Sequence, residues 1–247
     1  MKGFWLAWQF LTRLPAPVYR DVSDREIGAS QAWYPLVGLL IGLLLYAADW
    51  ALQQGPFSMT VVAILILLLW VGVTGALHLD GLADIADAWI GSQGDRQRAL
   101  EIMKDSTSGP MGVTALILLL LLKFALLQQL LQQTGGALLL IFIPVLARVI
   151  VPLLFLSLPY LRPSGLGRAL ADHRPLVPML VMTLALLGLG YLLNGWHILI
   201  LGLVLLWSWL CLGLLFRHRF GGLTGDMVGA AIELSEVALL IGAIFLV

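Results

Sequence analysis

Seven stretches of the chain are almost continuously apolar, and each is close to the roughly 20 residues that a membrane crossing needs. Their apolar residues do not alternate with polar ones, so the pattern predicts α-helices and not the strands of a barrel. The predicted spans are residues 33–52, 59–77, 111–131, 136–158, 176–193, 197–216 and 228–247.

The N-terminal residues 4–14 are apolar and aromatic, but they are too few to cross a bilayer. Pro15 and Pro17 follow at once, and no small-residue cleavage pattern marks a signal peptide. This stretch predicts an amphipathic segment that lies on the membrane surface.

Composition excludes several classes of protein. Hydrophobic residues make up 60% of the 247 residues and charged residues 11%, whereas soluble domains average about 45–50% and about 25%. Fourteen acidic residues balance fourteen basic ones, which leaves no basic face for nucleic acid, and a single cysteine excludes a disulfide scaffold. The sequence predicts an all-α, polytopic integral membrane protein with one catalytic domain over residues 1–247.

The basic residues predict the orientation of the spans. All of the fourteen Lys and Arg except Lys123 and Arg148 lie in the N-terminal segment or in the long linkers, and the short linkers contain none. Because cytoplasmic loops carry the excess of Lys and Arg, we expect the long linkers in the cytoplasm and the C-terminus outside.

Three aspartates follow the second predicted span at intervals of four and three residues: Asp80, Asp84 and Asp87. On a helix they lie within about 60° of one face, where like charges repel unless a cation joins them. The sequence thus predicts a short cytoplasmic Asp-rich helix that binds Mg²⁺, with Mn²⁺ as the alternative. The other interpretation is a solvated acidic face, although the remaining positions are apolar.

The linker after this helix carries cations and one further acid. Arg96 and Lys104 suit the phosphates of a substrate, although they equally suit anchoring at the cytoplasmic surface. Asp105 is a candidate proton acceptor. Residues 106–108 are Ser-Thr-Ser and stand just before Gly109 and Pro110, so they are expected to cap the next helix.

A second polar patch opens the last span. Residues 221–226 read Gly-Gly-Leu-Thr-Gly-Asp, and such a turn offers free N–H groups and a helix N-terminus to an anion. Gly222, Thr224 and Gly225 are therefore candidates for phosphate binding, and Asp226 is a candidate metal ligand.

Glu233 lies on the same helix face as Asp226 and is a further candidate metal ligand. Glu233 and Glu236 would both lie inside the bilayer, where ionisable groups line a cavity or pair with each other. The alternative for them is therefore a buried ion pair with Arg148 or Lys123. Arg148 is also a candidate to bind a substrate phosphate.

Several motifs together resemble the adenosylcobinamide-GDP ribazoletransferase (cobalamin synthase) family over nearly the whole chain. They are FLTRLP at 10–15, YPLVG at 34–38, HLDGLADIAD at 78–87, EIMKDS at 101–106 and GLTGD at 222–226, followed by Glu233. The resemblance implies that adenosylcobinamide-GDP and α-ribazole, or its 5′-phosphate, give adenosylcobalamin, or its 5′-phosphate, and GMP. It also implies a divalent cation and a multi-pass protein of the bacterial inner membrane.

The residues fit this reaction, in which a ribose hydroxyl attacks a phosphorus atom and GMP leaves. Phosphoryl transfer needs charge neutralisation and positioning, which one or two ions held by the aspartates would supply. Asp84, Asp87 or Asp105 would accept the hydroxyl proton, and the choice among them stays open, as does a homo-oligomer. The alternatives are an alcohol phosphotransferase, a prenyltransferase and an ion-coupled transporter.

Overall fold

The computed structural model describes residues 2–105 and 107–247, and its regular elements are helices. In chain order they are α1 Lys2–Leu11, α2 Asp24–Ser30, a 3₁₀ helix Gln31–Trp33, α3 Tyr34–Gln53, α4 Met59–Thr74, α5 Leu77–Gly91, α6 Arg96–Ile102, α7 Pro110–Gln132, α8 Gly136–Leu140, α9 Phe142–Ser157, α10 Leu166–Asp172, α11 Leu176–Asn194, α12 His197–Arg219 and α13 Gly225–Ile244. Within the described ranges no strand forms, and Tyr160 and Leu223 make only an isolated parallel bridge.

The structure confirms the all-α, polytopic membrane architecture. Among the described residues, six helices are long and apolar enough to cross a bilayer, and the pair α4–α5 makes a seventh if it counts as one broken span. The first of the six is continuous from α2 through α3, and another joins α8 to α9. The chain is an integral membrane protein.

The second predicted span is wrong at its C-terminal end. Helix α4 stops at Thr74, because Gly75 and Ala76 adopt left-handed backbone angles with φ of 62° and 55°. Helix α5 then leaves at 88° to α4. The 16 residues of α4 rise about 24 Å, which is less than the hydrocarbon core of about 30 Å. Because α5 turns away from α4 and does not extend it, α5 is a separate helix at the end of this crossing.

Helices α9 and α13 form the centre of the bundle. Their side chains are mostly buried, whereas α7, α11 and α12 leave most of their apolar side chains at least partly exposed. Such exposed leucines suit contact with lipid. The predicted N-terminal segment is helix α1, which packs on α2 and α3 through Leu6, Ala7 and Leu11.

Candidate active site

The three predicted aspartates lie on one side of α5, and the other side of that helix is packed into the bundle. Asp80 is exposed, while Asp84 and Asp87 are half-buried. Burial, followed by the carboxylates of Asp226, Asp80 and Asp87, raises the pKa of Asp84 to about 6, and Arg162 opposes the rise. Asp84 therefore faces the acids of both predicted patches.

Helix α5 crosses the first turns of α13 in direct contact. A β-carbon on Gly81 would lie 2.5 Å from the carbonyl oxygen of Asp226, and one on Gly229 would lie 3.2 Å from the Cα of His78. Glycine at these positions lets the two backbones touch. The last span therefore begins against the helix that carries Asp80.

The carboxylate of Asp226 is held by Arg162, a cation of the loop that follows α9. Nη2 of Arg162 lies 2.6 Å from Oδ2 of Asp226, and the hydroxyl of Thr224 donates to the same oxygen at 3.4 Å. Arg162 is about one-third exposed and Asp226 about one-fifth. The pair is open to solvent on one side and can therefore meet a ligand.

Asp87 has a different environment from the other two acids. Its carboxylate accepts the N–H of Gly109 at 2.6 Å and that of Gly112 at 2.9 Å. The start of α7 is thus capped from α5. The N-cap residue is Gly109, and Pro110 follows it, so the cap expected from Thr107 and Ser108 is wrong. Ser106 lies outside the described residues.

The glycine turn before α13 is fixed by a neighbouring segment. Leu223 donates its N–H to the carbonyl of Pro159 at 2.9 Å, and its own carbonyl accepts the N–H of Leu161 at 2.9 Å. A β-carbon on Gly222 would lie 2.4 Å from that Pro159 carbonyl. Buried Thr224 caps α13 by accepting the N–H of Met227. Of the predicted phosphate-binding residues in this turn, only Gly225 is exposed.

The basic residues of the α5–α7 linker are divided between two tasks. Nη2 of Arg96 donates to the carbonyl of His218 at 2.9 Å, which ties the linker to the end of α12. Lys104 lines an open cleft of about 300 Å³ together with Arg162 and Ser164. Asp105 is exposed, and hydrogen bonds from Thr107 lower its pKa.

Glu233 and Arg148 lie in a buried cluster of charges within the bundle. Glu233 pairs with Lys123 at 3.0 Å, and Glu236 pairs with both Lys123 and Arg148. Nζ of Lys123 also lies 4.2 Å from the ring centre of Trp70. The sequence left ion pairing open for these glutamates, and the structure gives each a buried cation. Their positions offer no support for metal binding by Glu233 or phosphate binding by Arg148.

A cavity of about 310 Å³ lies beside the acidic residues, enclosed by α1, α3, α5, α9, α10 and α13. Its polar lining comes from His78, Asp80 and Asp226, and the rest is largely apolar, including Phe10, Tyr34, Val151, Phe155 and Ile232. The imidazole Nδ1 of buried His78 has no hydrogen-bond partner among residues 2–105 and 107–247. One cavity therefore joins the first acidic patch to the second.

Comparison with known proteins decides the family. The cobalamin-5-phosphate synthase family model matches residues 3–244. The chain belongs to this family. Three relatives are named adenosylcobinamide-GDP ribazoletransferase. The one from Pseudomonas putida F1 is 48% identical over 98% of each chain, and the one from Pseudomonas aeruginosa PAO1 is 48% identical over 98% of this chain and 97% of the relative. The one from Acinetobacter baumannii is 45% identical over 97% of this chain and 96% of the relative. No solved structure matches significantly.

Membership of the cobalamin-5-phosphate synthase family agrees with the resemblance of the motifs and favours none of the three alternatives. Two residues of the site escaped the sequence-based prediction. Arg162 lies in a loop whose composition is ordinary, and only the fold brings it to Asp226. His78 begins the Asp-rich motif, and its buried, unpartnered nitrogen depends on the turn at Gly75 and Ala76.

The family resemblance implies a divalent cation, and the donor atoms suit one. Within the described ranges no three acidic, histidine or cysteine side chains are arranged to enclose an ion. However, Mg²⁺ commonly takes only one or two protein carboxylates and completes its shell with waters and substrate phosphates. The oxygens of Asp80 and Asp226 are ligands of the right kind and line the cavity, and Asp84 lies one helical turn from Asp80.

Proposed function

We propose that this protein joins adenosylcobinamide-GDP to α-ribazole, or to its 5′-phosphate, with release of GMP. The observation that carries the proposal is the near-full-length similarity to proteins named for this transfer. The cavity supports it further, because it places Asp80 of one motif beside Asp226 of another. The reaction forms a bond between the ribose oxygen and the phosphorus on the cobinamide arm, and it breaks the bond from that phosphorus to GMP.

Asp80 and Asp226 would hold Mg²⁺, or Mn²⁺ as the alternative. When bound, such an ion would neutralise the charge of the substrate diphosphate. Asp87 remains a candidate ligand, although both of its oxygens already accept backbone N–H groups. The partly exposed guanidinium of Arg162 and the ammonium of Lys104 share one cleft and would bind phosphate oxygens of the nucleotide.

The attacking hydroxyl must lose a proton, and Asp84 is the best placed acceptor. Its pKa is raised to about 6. This value is closer to neutral pH than the pKa of an ordinary aspartate, and it suits a general base. Asp105 is fully exposed on the linker, and its pKa is lowered by Thr107, so it is a weaker base. Asp84 would take the proton, while Asp80 and Asp226 would hold the ion and Arg162 and Lys104 would bind the phosphates.

We further propose that the protein resides in the bacterial inner membrane and that this site faces the cytoplasm. The long linkers on the α5 side carry most of the Lys and Arg, and such linkers remain cytoplasmic. Corrinoid nucleotide and α-ribazole would then reach the cavity from the cytoplasm.

The test is to incubate the purified protein in detergent or liposomes with adenosylcobinamide-GDP, α-ribazole and Mg²⁺. GMP and a cobalamin product should appear together in equal amounts, and EDTA should stop their formation until Mg²⁺ is restored. An Asp172→Asn variant, altered at the exposed C-terminal residue of α10, is the matched control for aspartate substitutions in the site. Absence of both products with the folded protein would overturn the proposal.

A further inference from the structure

The proposed reaction needs two binding regions, because one substrate is a small nucleoside and the other carries a corrin macrocycle. We propose that the cavity lined by His78, Asp80 and Asp226 binds the acceptor nucleoside, with its apolar bicyclic base enclosed and its ribose at the two carboxylates. This inference depends on the proposed function, since it assigns one of the two substrates of that reaction to a place in the fold.

The volume of the cavity favours the smaller substrate. At about 310 Å³ it lies at the lower end of the roughly 300–1,000 Å³ that ligand pockets occupy. One bicyclic base with a ribose fits such a space, whereas a corrin ring with its amide side chains does not. The corrinoid would therefore contact the outside of the site, and only its diphosphate would reach the acids.

The lining has two chemical characters. Val151 and Phe155 of α9, Ile232 of α13 and Phe10 of α1 form an apolar wall, which suits a flat base that carries no charge. Asp80 and Asp226 lie where α5 crosses α13. A nucleoside with its base against the wall would bring its ribose hydroxyls to these carboxylates, and the free Nδ1 of His78 offers a further hydrogen bond.

A second cavity, of about 400 Å³, adjoins the first and offers a place for a 5′-phosphate. Phe10, Leu77 and Leu166 line both cavities, and the guanidinium-bearing Arg13 lines the second. Arg13 is exposed and forms no ion pair with any residue that the structure describes. A phosphate on the far side of the ribose from Asp80 and Asp226 would meet this cation.

The first experiment fills the cavity. Val228 of α13 is half-buried and lines it, so Val228→Phe should raise the KM for α-ribazole by about tenfold or more while the KM for adenosylcobinamide-GDP changes by less than about twofold. Ile241→Phe places the same ring on the exposed side of α13 and should change neither constant. Val228→Ala, which cannot overpack, should raise the KM for α-ribazole by about twofold and serves if the Phe variant does not fold.

The second experiment removes the cation. Arg13→Gln should raise the KM for α-ribazole 5′-phosphate by about tenfold and leave that for α-ribazole within about twofold, because only the first carries the phosphate. Arg20→Gln, an exposed arginine in the same α1–α2 loop, is the matched control.

Wild-type protein that yields no GMP from either acceptor would refute the function itself. Two results with an active wild-type protein would refute only the assignment of the cavity to the acceptor nucleoside. One is a Val228→Phe variant in which the KM for adenosylcobinamide-GDP rises, and the other is an Arg13→Gln variant in which the KM rises equally for both acceptors.

Discussion

Asp80, Asp84 and Asp87 share a helix face, but the structure gives their carboxylates different neighbours. Asp80 lines the cavity with Asp226, Asp84 faces the other acids, and Asp87 caps α7. The regular spacing in the sequence hides this division, because it depends on which helix passes each turn of α5. Substitutions at the three positions should therefore have separable consequences.

Asp80→Asn and Asp84→Asn should each lower the rate of GMP formation by about 100-fold or more, because each removes a charged oxygen from the site that handles the diphosphate. Neither change should lower the melting temperature, since loss of one like charge relieves repulsion in the metal-free protein. Turnover and thermal unfolding measured on the same preparations check both expectations. If both variants formed GMP at rates close to that of Asp172→Asn, the two aspartates would be part of a solvated acidic face and not of the active site.

Asp87→Ala should destabilise the protein by about 1–2 kcal/mol, because two N–H groups at the start of α7 lose their acceptor. Asp87→Asn keeps one accepting oxygen and should cost less. Thermal unfolding of the two variants beside Asp84→Ala measures the difference. Equal melting temperatures for Asp87→Ala and Asp84→Ala would show that the cap contributes nothing.

At the scale of elements, the apolar pattern predicted most of the spanning helices to within a few residues. For example, the span predicted at 176–193 is α11, Leu176–Asn194. The pattern failed where contacts between distant parts of the chain decide where a helix begins or ends. The apolar run continues through residue 77, past the break at Gly75 and Ala76, and nothing in it signals a left-handed alanine. Likewise the cap of α7 comes from Asp87, 22 residues before Gly109, which no local capping pattern reveals.

The contact between α5 and α13 can be tested with one methyl group. Gly81→Ala would place a β-carbon 2.5 Å from the carbonyl of Asp226, so the helices must separate, and we expect turnover to fall by about tenfold or more. Gly72→Ala in α4 meets no atom within 4 Å and should leave turnover unchanged, with stability raised by about 0.5–1 kcal/mol. Full activity of Gly81→Ala would show that the spacing of these helices is unimportant.

The buried charges link α7, α9 and α13, and their connectivity predicts an order of effects. Glu236 serves both Lys123 and Arg148, whereas Glu233 serves only Lys123. Glu236→Gln should therefore cost about 3–5 kcal/mol, and Glu233→Gln should cost clearly less. Unfolding by denaturant measures both, with exposed Glu101→Gln as the control.

A double variant tests the same cluster from the other side. Lys123→Met alone leaves two carboxylates for Arg148, so adding Glu233→Gln should restore part of the lost stability, because one neutral pair then remains. Additive losses in the double variant would mean that the two residues do not act as a pair.

At the scale of the whole molecule, the distribution of cations predicts which face of the protein meets the cytoplasm. In a Cys211→Ala background, single cysteines at Gln97 of α6, at Gln54 after α3 and at Val247 report three linkers or ends. A membrane-impermeant thiol reagent should label the cysteines at 54 and 247 in intact cells, and that at 97 only after permeabilisation. Labelling of position 97 in intact cells would place the candidate site outside.

The buried cluster also has a consequence for the order in which the protein is made. Lys123 and Arg148 are synthesised before Glu233 and Glu236, which lie 110 and 88 residues later as their respective partners. A cation at the centre of a helix costs about 2.5–3.5 kcal/mol on insertion, so α7 and α9 enter the bilayer without their counter-charges. We expect the bundle to close only when α13, the final helix, arrives. A nascent chain that stops before residue 225 would then remain a substrate for the proteases that remove incomplete membrane proteins.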